Sequence, residues 1–240
     1  MKNTVVIIPT YNEIENTEAI IRAVFSQSEF VHILIVDDNS PDLTALKVKE
    51  LQKEFPERLY LESRQVKAGL GTAYIHGFKW ALNKKYHYVF EMDADFSHDP
   101  KDLIKLYTAC DENGADLAIG SRYIKGVNVV NWPMSRVLMS YLASIYVRII
   151  TGMKIHDTTA GFVCYKRQVL ETLDLNAIKF IGYAFQIEMK FKAYIKKFNI
   201  VEIPVIFTDR TRGESKLSSG IISEAIFGVI SMKIKSIFKT

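Results

Sequence analysis

Short apolar runs alternate with stretches of helical periodicity along the first half of the chain. The predicted strands cover residues 4–9, 32–36, 59–62, 88–92 and 116–120, and the predicted helices cover 14–27, 41–55, 70–83 and 100–113. A strand followed by a helix, repeated several times, is typical of a mostly parallel sheet with helices on both faces. The pattern therefore predicts an α/β fold.

The alternation stops after Gly120. The elements predicted beyond it are a long helix ending near residue 151, irregular chain to residue 161, a helix over 182–197, a strand over 200–204, a basic loop and a last helix from residue 218. We expect a single domain over 1–217, followed by an amphipathic helix over 218–240.

Composition narrows the class of protein. Of the 240 residues 48% are hydrophobic, with 12 Gly and 6 Pro, which excludes a disordered or fibrous chain. The net charge of +4 is mild and by itself argues neither for nor against nucleic acid. No nucleic-acid partner is expected. Cys110 and Cys164 stand in no metal-ligand or redox spacing, so two reduced thiols are expected. The charge-free run 137–147 is shorter than the roughly 18 apolar residues of a spanning helix, so no membrane crossing is expected.

Acidic residues follow the fourth predicted strand, in the segment FEMDADFSHDP. Ligands of an open parallel sheet bind outside the carboxyl ends of its strands, so Asp93 and Asp95 should face a crevice there. Two neighbouring carboxylates repel each other unless a cation is near, and oxygen ligands suit Mg²⁺ or Mn²⁺ shared with substrate phosphates. A lone Asp-X-Asp also occurs in turns and helix caps, and Asp99 has the position of such a cap.

Further motifs stand in a fixed order along the chain: PTYNE, VDDNSPD, GLGTAYIHG, MDADFSHDP, GSRY, NWP, DTTAGF and FTDRTRGESKL. Together they resemble the family 2 glycosyltransferases with the GT-A (Rossmann-like) fold, and among these the dolichyl or polyprenyl phosphate mannosyltransferases. The resemblance implies inverting transfer of mannose from GDP-mannose to the phosphate of a dolichyl or polyprenyl phosphate. The implied cofactor is a divalent metal, Mg²⁺ or Mn²⁺.

The resemblance also implies roles for particular residues. The implied guanosine contacts are Pro9, Tyr11, Glu13, Val36 and Asp38, and the implied metal and diphosphate site is Asp93, Ala94 and Asp95. The implied phosphate ligands are Arg122, Arg210 and Lys216, and the implied acceptor-phosphate residues are Arg136 and Ser140. Many relatives have Gln at the position of Ser97, so this chain lacks that side-chain metal ligand. Capping or surface roles are expected for His76, His87, His98 and His156.

The segment from Ser121 to His156 contains five basic residues and no Asp or Glu. A phosphate acceptor is already ionised at neutral pH, so it needs positioning and charge neutralisation more than a general base. The basic segment agrees with that demand, and the Gly-bearing loop 208–217 could close over a diphosphate.

The last helix combines isoleucines with Lys233, Lys235 and Lys239 near its end. It could pack on the core or lie on a membrane surface with its lysines toward anionic headgroups. The expected location is cytoplasmic, with peripheral association at the cytoplasmic face of a membrane. Protein partners are not indicated.

Other functions stay open from the sequence alone. One is transfer of glucose or another sugar to undecaprenyl phosphate. A second is a nucleotide-sugar-binding subunit without catalysis. A third is a phosphatase or phosphotransferase with an Asp-X-Asp nucleophile, although such enzymes carry that pair after the first strand, whereas here it follows the fourth.

Overall fold

The computed structural model describes residues 1–182, 184–210 and 219–237, with side chains for all of these except 219–225. Its strands are β1 (Thr4–Thr10), β2 (Val31–Asp37), β3 (Leu59–Ser63), β4 (Tyr88–Glu91), β5 (Leu117–Ser121), β6 (Val129–Val130), β7 (Val163–Lys166), β8 (Ile200–Pro204) and β9 (Phe207–Thr208). Its helices are α1 (Ile14–Phe25), α2 (Thr44–Leu51), α3 (Leu70–Asn83), α4 (Asp102–Asp111), α5 (Met134–Thr151), α6 (Arg167–Thr172), α7 (Ala184–Ile195) and α8 (Ser219–Ile237), with a 3-10 turn at Leu175–Ala177.

The main sheet has the strand order β3-β2-β1-β4-β7-β5-β8 within the described chain. Strand β7 is antiparallel to both neighbours, and the other pairs are parallel. The mostly parallel sheet is therefore confirmed. Strand β7, which lies within a stretch given no element from the sequence, separates β4 from β5. A second sheet pairs β6 with β9 in parallel.

Two apolar cores lie on opposite faces of the main sheet. Ile7 belongs to one core and its neighbour Ile8 to the other, because successive side chains of a strand point to opposite faces. Helix α3 packs closely on the first of these faces: a Cβ added at Gly77 would lie 2.7 Å from Cγ2 of Ile7. Helices thus cover both faces, as the sequence predicts.

Two predicted helix starts are wrong. Pro41 lies in a turn and α2 begins at Thr44, whose backbone N–H donates to Asp42 Oδ1 at 3.0 Å. Pro100 likewise precedes α4, which begins at Asp102. In both places an Asp side chain closes a turn just before the helix. Asp42 does so before α2, and before α4 Asp99 Oδ1 accepts from the Lys101 N–H at 3.0 Å. The expected domain boundary at residue 217 lies outside the described residues.

Candidate active site

A cavity of about 980 Å³ opens at the carboxyl edge of the sheet, between the end of β4, the segment after β5 and helices α5 and α7. Its polar lining includes Asp93, Arg122, Arg136, Ser140 and Arg210. Its apolar lining includes Met139, Leu142, Val147, Ile187 and Ile226. The crevice expected outside the strand ends is therefore present, and Asp93 lines it, whereas Asp95 is not among its lining residues.

Helix α5 runs along this cavity. Arg136 and Ser140 are one turn apart and both line it, and the later α5 residues that line it are Leu142, Ala143, Tyr146 and Val147. From Arg136 to Val147 the helical rise gives a length of about 16 Å. The Tyr146 hydroxyl donates to the Ile226 carbonyl at 2.8 Å, so α8 meets α5 at the apolar end. The cavity is thus charged near the start of α5 and apolar farther along.

Asp95 is buried and has partners for both carboxylate oxygens. Oδ1 accepts from the backbone N–H of Ser97 at 3.0 Å and from its hydroxyl at 2.5 Å. Oδ2 lies 2.9 Å from Nη2 of Arg210. Ser97 thus holds Asp95 in place, and the Arg210 guanidinium balances its charge.

Asp93 is held differently. Its Oδ1 lies 3.4 Å from the Tyr74 hydroxyl, and its backbone N–H donates to Nδ1 of His98 at 3.3 Å. Burial, and next the negative charge of Asp95, raise the pKa of Asp93 to about 7. A neighbouring cation would stabilise the ionised form of such a carboxyl group.

The oxygen donors at this point suit a hard divalent ion. No group of three or more His, Cys, Asp or Glu residues able to hold a metal occurs within the described part of the chain. Mg²⁺ and Mn²⁺ are commonly held by one or two carboxylates, with substrate phosphates and water completing the shell. Asp93 and Asp95 fit that kind of shared site. Their assignment as metal ligands stays a prediction.

The residues expected to contact guanosine meet at the ends of β1 and β2. Pro9 and Val36 are paired in register across the two strands. Asp38 accepts from Nε and Nη2 of Arg64 at 2.5 and 2.6 Å, and Lys67 Nζ lies 4.0 Å from the Tyr11 ring centre. These residues form one rim of mixed charge, which is the setting predicted for a nucleoside.

Glu13 lies close to that rim. Its backbone N–H donates to the Thr44 hydroxyl at 3.1 Å, and its carboxylate accepts from Asn16 Nδ2 at 3.0 Å. The first turn of α1 and the start of α2 are thereby joined behind the strand ends.

Arg122 is fixed by a buried ion pair with Asp157. Its Nε and Nη2 donate to the two carboxylate oxygens at 2.7 and 2.6 Å, and Nη2 also donates to the Thr159 hydroxyl at 2.9 Å. Burial acts to raise the pKa of Asp157, but the charge and hydrogen bonds of Arg122 outweigh it and hold that pKa below its usual range. The DTTAGF motif thus holds Arg122 at the cavity wall.

A family model, "Glycosyl transferase family 2", matches residues 5–174. The chain belongs to glycosyltransferase family 2. It is 47% identical over 234 residues to polyprenol monophosphomannose synthase of Mycolicibacterium smegmatis, covering 98% of this chain and 88% of that protein. It is 43% identical to undecaprenyl-phosphate mannosyltransferase of Micrococcus luteus, with 93% and 90% covered.

This glycosyltransferase also resembles a longer relative, dolichol-phosphate mannosyltransferase of Pyrococcus furiosus, at 39% identity over 91% of the chain but only 60% of that protein. Among solved structures, glucosyl-3-phosphoglycerate synthase from Mycobacterium tuberculosis with phosphoglyceric acid superposes with a TM-score of 0.72 at 16% identity, covering 96% of this chain and 80% of the other. The same enzyme with Mn²⁺, uridine diphosphate and phosphoglyceric acid gives 0.71 at 15%, with 98% and 78% covered. The GT-A fold is confirmed.

The expected surface or capping role is wrong for one histidine of the glycosyltransferase. His98 is buried, lines the cavity and stacks on Phe162 with ring centres 4.9 Å apart. Burial lowers its pKa to about 4, so it is neutral at physiological pH. In the sequence, the position of His98 directly after DADFS was the one feature that pointed to a place at the site.

The predicted phosphate ligand Lys216 lies outside the described residues, so its position stays a prediction. Arg210, the last residue described before that gap, is paired with Asp95 as described above.

Proposed function

We propose that this glycosyltransferase transfers mannose from GDP-mannose to the phosphate of a polyprenyl or dolichyl phosphate. The observation that carries the proposal is a cavity that has both a charged end at Asp93, Arg122 and Arg136 and an apolar end along α5. A polyprenyl phosphate has the same division into an anionic head and an apolar chain. The three mannosyltransferase relatives, named for polyprenol, undecaprenyl and dolichol phosphates, support the choice.

The charged end suits the chemistry of the transfer. An oxygen of the acceptor phosphate attacks the anomeric carbon as the bond to the diphosphate breaks, with inversion of configuration. The acceptor phosphate is ionised, so the protein must position it and offset repulsion between two anions. Arg136 and Ser140 would hold the acceptor phosphate, and Arg122 and Arg210 would face the charge that develops on the leaving diphosphate.

A divalent metal at Asp93 and Asp95 would supply Lewis-acid stabilisation of the diphosphate. The Mn²⁺ bound to a fold neighbour supports a divalent ion in this fold, and we propose Mg²⁺ or Mn²⁺ here. The carboxylate of Asp95, fixed by Ser97, would present the ligand oxygen in a set direction.

The donor is tested with purified protein, a polyprenyl phosphate and a panel of radiolabelled nucleotide sugars. We expect label to enter the lipid phase from GDP-mannose and from no UDP-sugar at a comparable rate. Transfer from a UDP-hexose in place of GDP-mannose would overturn the sugar assignment and leave the reaction class standing. Absence of transfer from every donor by the single chain would favour the non-catalytic subunit.

The proposal includes peripheral attachment to the cytoplasmic face of a membrane. Large apolar side chains are exposed on two helices that contact each other: Met134, Leu138, Leu142 and Ile149 on α5, and Phe227, Ile230, Ile234 and Ile237 on α8. Lys235 is exposed near the end of α8, where anionic headgroups would attract it, and Lys233 close by donates to the Thr151 carbonyl at 3.1 Å. No described helix is both long and apolar enough to span a membrane. The buried free thiols Cys110 and Cys164 suit a reducing compartment.

Vesicle sedimentation tests this attachment. We expect the double variant Ile149→Ser, Phe227→Ser to bind vesicles containing anionic lipid about tenfold or more weakly, because two exposed apolar side chains no longer enter the interface. The matched control is Leu46→Ser, which alters a residue on α2 that is 52% exposed and distant in sequence from both helices. Equal binding of all three proteins would contradict the proposed surface.

A further inference from the structure

Asp209 makes a direct contact with the predicted acceptor residue Arg136. Its Oδ1 lies 2.7 Å from Nη1 of Arg136, and both side chains are 26% exposed. Of the two, Arg136 lines the cavity. Asp209 is part of the FTDRTRGESKL motif, in which the resemblance implies roles for Arg210 and Lys216.

A second contact fixes the plane of the Arg136 guanidinium. Its central carbon lies 4.0 Å from the centre of the Trp132 ring, which in turn meets Phe207 of β9 edge-on at 5.1 Å. Ring stacking limits rotation of the guanidinium, while the carboxylate determines which nitrogen faces Asp209. Together they leave few orientations for the side chain.

The backbone of Asp209 is tied to the strand that precedes α5. Its N–H donates to the Val130 carbonyl at 3.0 Å, next to the pairing of β6 with β9. Arg136 lies in the first turn of α5, three residues after Pro133. The carboxylate and the guanidinium are therefore held by one small sheet and its adjoining helix.

The next residue along the chain, Arg210, contacts the donor side of the cavity. Its Nη2 lies 2.9 Å from Oδ2 of Asp95. The consecutive residues Asp209 and Arg210 thus contact Arg136 and Asp95, respectively.

We propose that Asp209 is a positioning residue whose carboxylate orients the Arg136 guanidinium for the acceptor phosphate. The inference rests on the proposed function in one respect, the role of Arg136 toward a polyprenyl phosphate. It extends that function to a residue that does not line the cavity, and it explains why an acidic side chain stands beside a site for anions.

The same ion pair could instead weaken binding of the acceptor phosphate, and this is the alternative to an orienting role. If Asp209 merely masked Arg136, its negative charge would repel the acceptor, and removal of that charge would tighten binding. If Asp209 orients Arg136, removal of the charge weakens the hydrogen bond that holds the guanidinium, which can then adopt other orientations, and acceptor binding becomes weaker. The sign of the change in acceptor affinity therefore separates the two effects.

The experiment compares Asp209→Asn with wild type by steady-state kinetics. We expect KM for the polyprenyl phosphate to rise about tenfold, which equals ~1.4 kcal/mol, while kcat and KM for the sugar donor change less than about twofold. Asp209→Glu should recover part of the acceptor affinity. The matched control is Glu171→Gln, which breaks the exposed Arg167–Glu171 pair on α6 and should leave every constant unchanged.

A double-mutant cycle gives the decisive result. In an Arg136→Ala background, Asp209→Asn should have almost no further effect, because the group it orients is absent. An additive loss, an equal rise in donor KM, or tighter acceptor binding would overturn the inference.

Titration of the donor-free protein with farnesyl phosphate keeps the inference separate from the proposed function. If Asp209→Asn binds farnesyl phosphate more weakly and the wild type does not turn over GDP-mannose, only the assignment of the donor is contradicted. If the wild type turns over GDP-mannose normally and the variant binds farnesyl phosphate as the wild type does, only the role of Asp209 is contradicted.

Discussion

Asp95→Ala is expected to abolish sugar transfer, with a loss of about 10³-fold or more at any concentration of Mg²⁺ or Mn²⁺. The substitution removes the carboxylate that Ser97 holds in place and leaves Arg210 without this counter-charge. Initial rates with labelled donor, measured across a series of metal concentrations, provide the test. Full wild-type activity in excess EDTA would contradict a metal role for this carboxylate.

A matched control is available four residues along the chain. Asp99 belongs to the same acidic segment, but within the described part of the chain its carboxylate accepts from the Lys101 N–H and closes the turn before α4. Asp99→Asn should keep activity within about twofold of wild type, since neither turn nor site chemistry requires the charge. Calorimetric titration of Mn²⁺ in the presence of GDP should show binding in Asp99→Asn and none in Asp95→Ala. Similar activities in the two variants would indicate that Asp95 is also a turn residue.

The sequence predicts the first five strands of the sheet well because each is a buried apolar run separated from the next by a helix. It did not predict β7, whose four residues VCYK continue directly into α6. A run this short carries no periodicity that separates strand from helix. Its antiparallel place between β4 and β5 depends on tertiary packing, and it brings the DTTAGF segment beside Arg122.

At the site, the motifs predicted the cationic residues but not the carboxylates that hold them. Arg122, Arg136 and Arg210, to which the resemblance gives phosphate-binding roles, all line the cavity, and those roles stay predictions. Asp157 and Asp209, which bind the first two, are 35 and 73 residues away in sequence from their partners. Periodicity and spacing report neighbours within a few turns, so pairings at that separation are visible only once the fold is known.

The Asp157–Arg122 pair leads to the largest expected effect on stability. Asp157→Ala should lower the free energy of unfolding by about 3–5 kcal/mol, because it leaves the buried Arg122 guanidinium without its counter-charge. For a chain of this size the midpoint of thermal unfolding should fall by about 10 °C. Glu171→Ala, which removes an exposed ion pair, should change that midpoint very little.

The same pair gives a pH dependence with a definite sign. The pKa of Asp157 is held below its usual range in the folded protein, and in the unfolded chain it returns to about 3.9. The pair therefore contributes its full stability above about pH 5, and that contribution is lost as pH falls through the folded pKa. Wild type should lose this part of its stability in acid, whereas Asp157→Ala should show a shallower decline. Equal acid dependence of the two proteins would contradict the lowered pKa.

A further variant separates the structural role of the pair from the proposed catalytic role of Arg122. Arg122→Met combined with Asp157→Leu removes both charges, so it should recover a good part of the stability lost in Asp157→Ala. It should not recover sugar transfer, because the guanidinium proposed to face the diphosphate is absent. Calorimetric unfolding and initial rates on the same preparations measure both quantities. Recovery of activity along with stability would show that Arg122 serves the fold alone, and the charge at the leaving diphosphate would then have to come from Arg210 and the metal.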